Sequence, residues 1–194
     1  MSVATQSVQL QIHPVTPDRW PDFEKLFGEN GACAGCWCMW WRLSRAEFSQ
    51  KAYAGNKRAI KKIIRAGAEP GLLAYADGEP IGWCAIAPRE AYPSLDRSRV
   101  LKRVDDQPVW SVTCFYVARG YRRQGVMEQL LKAALEFARK RGARIVEGYP
   151  SDTGGEKKAA TAVFTGLLPA FKVAGFHEVA RRSLARPIMR YTIK

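Results

Sequence analysis

The chain has 194 residues, 47% of them apolar and 25% charged, a balance that excludes a disordered chain and needs neither a metal nor disulfides to fold. Its 31 Lys and Arg against 18 Asp and Glu leave a net charge of +13, but the basic residues are scattered from Arg58 to Arg190 rather than gathered in a tail, which fits a solvated basic surface or a phosphate-bearing cofactor better than RNA. No apolar run approaches the ~18 residues of a membrane span, Met1 to Leu10 lack a signal sequence, and five cysteines, an odd number, argue for reduced thiols and a soluble, cytoplasmic protein.

In chain order, SVQLQIH (7–13) alternates apolar and polar residues as a half-buried strand does, and TPDRWPDFEKLF opens a helix with Thr16 as its N-cap. After GACAGCWCMWWR (31–42) come SRAEFSQ, where Ser44 and Glu47 have capping-box spacing, and NKRAIKKIIRAG, whose Ala59, Ile60, Ile63 and Ile64 share one helical face. GLLAYADGEPIGWCAIAP reads as a hairpin turning at Asp77-Gly78. Residues 88–107 are polar and basic, a surface loop with room for a short helix, and PVWSVTCFYV is a β-prone strand. In GVMEQLLKAALEFARKRG, Met127, Leu130, Leu131, Ala134, Leu135 and Ala138 share a face and Gly142 ends the helix. A strand ARIVEGY, the loop SDTGGEKK, a helix over about 159–174 and strands near FHEVA and PIMRYTI complete a β-α-α-β-β-β-α-β-α-β-β order without a domain linker, one mixed α/β domain spanning 1–194.

Cys33-x-x-Cys36-x-Cys38 offers three thiolates where a closed zinc site needs four ligands. Cys84 and Cys114 lie on predicted strands, where small buried thiols are the default. No metal is expected, and Cys33/Cys36 lack the βαβ setting of a redox pair. His13 and His177 have no partners at metal or catalytic-triad spacing.

The chemistry concentrates between the strand at 109–117 and the helix at 125–141, in FYVARGYRRQGVMEQLL. A basic loop there leads into a helix that starts at a glycine. Unpaired N–H groups and the positive end of the helix dipole make such a terminus an anion site, and Arg122 and Arg123 add charge.

The loop resembles the acyl-coenzyme A motif of the GNAT N-acetyltransferase superfamily, Gln/Arg-x-x-Gly-x-Gly/Ala. Here it reads Arg122-Arg123-Gln124-Gly125-Val126-Met127, with Met127 in place of a small residue. AFKVAGFHEVAR resembles the family's Y-x-x-x-G-F ending, and the order of elements over about 8–193 is also the family's. The resemblance implies a mixed, mostly antiparallel central sheet flanked by helices, with central strands splayed into an acyl-CoA cleft. It implies acetyl-CoA as co-substrate, with the pantetheine arm beside Phe115, Tyr116 and Val117 and main-chain N–H groups of Tyr116 and Val117 polarising the thioester.

The implied activity is direct transfer of an acetyl group to a primary amine of a small molecule or peptide; the alternative is a GNAT-like acyl-CoA-binding module without efficient catalysis. The positions of the family's catalytic tyrosine, asparagine and glutamate are occupied by Phe171, Phe164 and Ser111. Tyr149 and Glu147, which share side-chain parity on their strand, and Tyr116 are the substitute candidates for acid or base. Trp37, Trp40 and Trp41 fall where the family builds the acceptor side of its cleft, as a flat surface for an amine. The implied partners are acetyl-CoA and an amine, with neither membrane nor nucleic acid, and a homodimer is left open.

Overall fold

The computed structural model describes residues 10–194, so residues 7–9 of the first expected strand lie outside the described residues. Seven strands form one sheet: β1 (Gln11–Pro14), β2 (Gly71–Ala76), β3 (Glu79–Pro88), β4 (Trp110–Val117), β5 (Ile145–Gly148), β6 (His177–Arg181) and β7 (Pro187–Thr192). Their order is β1-β2-β3-β4-β5-β7-β6. Every neighbouring pair is antiparallel except β4 with β5. The β2–β3 hairpin turns through Asp77 and Gly78, both at positive φ (49° and 80°), the left-handed pair that an Asp-Gly turn supplies.

Helices cover both faces. α4 (Val126–Arg139) buries Leu130, Leu131, Ala134, Phe137 and Ala138 against one face, while Met127 and Leu135 are only half-buried. On the other face lie α1 (Trp20–Phe27) and α2 (Arg45–Arg65), whose Phe23, Phe27, Ile60 and Ile64 pack with Trp37 and Trp83. α2 is two helical pieces meeting at a kink at Ala52 and Tyr53, which is why the sequence reads as two helices. Its first piece begins with the expected capping box: the Ser44 hydroxyl accepts from Glu47 N–H and the Glu47 carboxylate accepts from Ser44 N–H.

Two expectations change. Instead of a helix over about 159–174 there is a single 3-10 turn at Ala160–Ala162 and a short α5 (Leu168–Val173). Gly166, at φ 94°, and Pro169 break the run. The segment at 88–107 is also more than a surface loop: beside α3 (Pro93–Asp96) it buries Tyr92, Leu95 and Leu101 with Tyr149 and Ile188 in a third apolar cluster. No described helix is long and apolar enough to cross a membrane.

Candidate active site

The basic loop leads into a helix that starts after a glycine, as the sequence indicates. A 3-10 turn (Arg119–Tyr121) follows β4, and α4 starts at Val126 after Gly125, whose φ of 73° favours glycine. The α4 N-terminus takes no side-chain cap, so its first-turn N–H groups are open to an anion. Arg122 Nε donates to the Val117 carbonyl at 2.9 Å, tying the loop to the end of β4, and Gln124 Nε2 donates to the Gly120 carbonyl at 2.8 Å within the loop. Arg123 is exposed and held left-handed at φ 63°, a strain of roughly 1–2 kcal/mol for a residue with a Cβ.

β4 and β5 part company early. They pair only at Trp110–Val146, Ser111–Glu147 and Val112–Gly148. Immediately beyond Val112 the register with β3 slips, leaving Thr113 as an extra residue on β4. Such a bulge bends a strand and raises its twist, and here it turns β4 away from β5 to open a wedge. Ala118 N–H bonds to the Ile81 carbonyl on the β3 side, so by strand alternation Tyr116 also faces β3, while Phe115 and Val117 face the wedge. Phe115 N–H donates to the Phe164 carbonyl at 2.6 Å, Ser151 N–H donates to the Gly166 carbonyl, and Ser151 bridges Leu167. Residues 164–167 therefore lie in the wedge, on the main-chain edge expected to face pantetheine.

A cavity of about 370 Å³ opens beside this edge. β4 contributes Cys114 to Val117, the donor loop Arg122, and the 160–164 segment Ala160, Thr161 and Phe164. From the other side come Phe27, Trp40, Phe48 and residues of the 32–36 turn, including Cys33 and Cys36. Among the three tryptophans expected here, only Trp40 lines the cavity. Trp37 is 2% exposed, sandwiched with Trp20 and Phe27 in the core, and Trp41 stacks on Phe164 at 6.4 Å. Cations already lie over several rings: Arg45 stands 3.6 Å above Trp40, Lys57 5.1 Å from Trp37 and Arg186 5.9 Å from Phe164.

The thiols separate by environment. Burial, reinforced by the Cys38 charge, pushes Cys36 up to about 12. A hydrogen bond to Cys38, together with burial, pushes Cys114 well above the usual thiol range. Cys38 is lowered, first by that bond to Cys114 and then by the Trp83 indole N–H, 3.2 Å from its sulfur. Cys36 and Cys114 on the cavity wall thus hold their protons near neutral pH, and Cys38, shifted the other way, is buried behind them. Among the described residues no three His, Cys, Asp or Glu side chains are placed to hold a metal ion.

Glu147 and Tyr149 share a side, as their parity requires, but that side is a buried seam outside the cavity lining, with Glu147 1% and Tyr149 0% exposed. Tyr149 Oη donates to Glu147 Oε1 at 2.7 Å, shares a 2.8 Å bond with Ser111 Oγ and accepts from Arg89 Nη1 at 2.6 Å. Arg89 also bonds Glu147 at 2.8 Å, and Arg190 Nε donates to Glu147 Oε2 at 2.9 Å. Burial, then the Glu147 charge, holds the Tyr149 phenol well above its usual range. The two arginines hold the pair in this buried seam. Tyr116, the third candidate, is half-buried and lines the cavity. Sequence reasoning missed Arg89, which sits in a run reading as solvated, and the Phe27, Phe48 and Cys114 walls, whose apolar spacing reads only as core.

Residues 29–162 match the family described as Acetyltransferase (GNAT) family. No curated protein matches the chain. Among solved structures, a GNAT-family acetyltransferase from Listeria monocytogenes superposes with a TM-score of 0.60 at 9% identity, over 98% of this chain and 99% of that one. PaiA N-acetyltransferase from Thermoplasma acidophilum, in complex with coenzyme A, gives 0.54 at 14% identity over 95% and 99%. Ribosomal-protein-alanine N-acetyltransferase from Brucella melitensis gives 0.53 at 15% identity over 94% and 99%. These identities carry the fold alone; the sequence match, the basic loop opening α4 and the wedge between β4 and β5 together place the chain in the GNAT acetyltransferase family.

Proposed function

We propose that this chain transfers the acetyl group of acetyl-CoA to a primary amine of a small molecule or peptide by direct attack. The observation that carries the reading is the N-terminus of α4, without a side-chain cap and with Gly125 at φ 73°, preceded by Arg122, which is tied back to Val117 and lines the cavity along the β4 edge. The main-chain N–H groups of α4's first turn hold the pyrophosphate, with Arg122 and Arg123 adding charge. Pantetheine lies along Phe115 to Val117, and Phe115 N–H, which faces the wedge, polarises the thioester oxygen. The amine, having given a proton to water, attacks the carbonyl carbon; the C–S bond breaks, and the thiolate takes a proton from the Tyr116 hydroxyl, which water restores.

One observation favours a second reading, an acyl-CoA-binding module with little catalysis. Phe115 N–H is taken by the Phe164 carbonyl, so an arm that cannot displace residues 164–167 binds short of the reacting position. Thermal unfolding with and without acetyl-CoA tests the donor site: stabilisation of the wild type and none of Gly125→Trp is the expected result. No stabilisation of the wild type overturns both readings. Release of free thiol from acetyl-CoA with an amine separates the first from the second.

A further inference from the structure

The acceptor wall has a chemical character beyond its shape. Phe27, Trp40, Phe48, Cys33 and Cys36 line the side of the cavity opposite β4, and Phe164 lines it beside β4. The charged side chain in the lining is Arg122, and no carboxylate or imidazole is among the described residues there. Trp40 also meets Phe48 edge-on, their centroids 5.1 Å apart, so this side of the cavity is walled by aromatic carbon.

An alkylammonium entering this site would lose its hydration without gaining a carboxylate. Two of the lining rings already carry cations, since Arg45 stands 3.6 Å over Trp40 and Arg186 lies 5.9 Å from the Phe164 ring. A further cation beside Arg122, Arg45 and Arg186 is repelled in a low-dielectric setting. A neutral amine on a flat ring meets none of these costs: its ring packs against aromatic carbon and its nitrogen lone pair is already free, so no base is required in the wall.

We infer that the acceptor is an uncharged, weakly basic amine of the arylamine class, an inference that rests on the donor-site reading above. The nitrogen forms its bond to the acetyl carbon as the C–S bond breaks. The nitrogen loses one proton and the departing sulfur gains one, giving an anilide and free coenzyme A.

The test compares two isomers, 4-methylaniline and benzylamine, with spermidine as a polycation, on the intact chain at pH 7 with saturating acetyl-CoA, reading thiol release. A kcat/KM at least tenfold higher for 4-methylaniline than for benzylamine supports the inference. Equal or faster reaction of benzylamine or spermidine overturns it, as does no reaction of 4-methylaniline on a chain that acetyl-CoA stabilises. A chain that acetyl-CoA fails to stabilise refutes the donor site instead. In that event, NMR line broadening of the two amines by the chain alone still decides the pocket's preference: broadening of 4-methylaniline and not benzylamine supports the inference, and any other pattern overturns it. Arg45→Gln, which frees one face of Trp40, is expected to narrow the ratio severalfold; an unchanged ratio contradicts the part assigned to ring-bound cations.

Discussion

Tyr116 lies on β4 and Tyr149 just past the end of the neighbouring β5, and they meet opposite surroundings. Tyr149 is fully buried with three polar partners, whereas Tyr116 is half-buried and open to the cavity. Removing the Tyr149 hydroxyl leaves Ser111, Glu147 and Arg89 each a bond short inside the protein, a loss of about 1–3 kcal/mol. Removing the Tyr116 hydroxyl strands no buried group but withdraws the acid proposed for the departing thiolate, an effect of about 10²-fold on rate. Denaturant titration and thiol-release kinetics on Tyr149→Phe and Tyr116→Phe should therefore diverge: lower stability with kcat kept for the first, lower kcat with stability kept for the second. A Tyr149→Phe chain as stable as wild type but slow would return Tyr149 to the catalytic set.

Among the elements, the segment over 159–166 carries the sharpest consequence. It has one 3-10 turn of regular structure, and Gly166 at φ 94° lies where a Cβ would strike the Phe171 and Phe115 rings. For pantetheine to pair with Phe115, the Phe164 carbonyl must release Phe115 N–H. Hydrogen–deuterium exchange should show faster exchange over 159–166 when coenzyme A binds, alongside slower exchange at the start of α4. Protection of 159–166 unchanged or raised by coenzyme A would mean that the arm lies elsewhere. The sequence was legible where local chemistry decides the backbone. The Asp77-Gly78 turn, the Ser44–Glu47 box and the Gly125 helix start all formed as their residues require. It was opaque where partners are distant: Arg89 and Glu147 are 58 residues apart, and Trp37 goes inward only because α1 offers Trp20 and Phe27 to receive it. Trp40 and Trp41 point to different neighbours for the same reason, Phe48 for one and Phe164 for the other.

Across the molecule, charge is distributed more in pairs than the net of +13 suggests. Arg190 joins Glu147 within the sheet to Asp105 outside it, through bonds of 2.6 and 2.9 Å to the Asp105 carboxylate. The Arg190 hydrogen bonds hold the Asp105 carboxyl well below the usual range, and Asp152 and Glu178 are lowered in the same way by Arg181. A carboxyl whose folded pKa lies below its unfolded value binds fewer protons when folded, so its stabilisation is complete above the unfolded value, about 3.9 for Asp, and fades as pH falls toward the folded one. Thermal midpoints should accordingly drop below about pH 4, and less steeply in Asp105→Asn; parallel curves for the two chains would remove Asp105 from the acid response. The same charges bear on how the sheet holds together. Three residue pairs join β1–β4 to the β5-β7-β6 half, and across that short join run Arg89 to Glu147 and Tyr149 to Ser111. The halves are laid out like the arms of a clothes peg, with the ionic knot at the pivot, so the join from which β4 and β5 part is braced by side chains that lie outside the cavity.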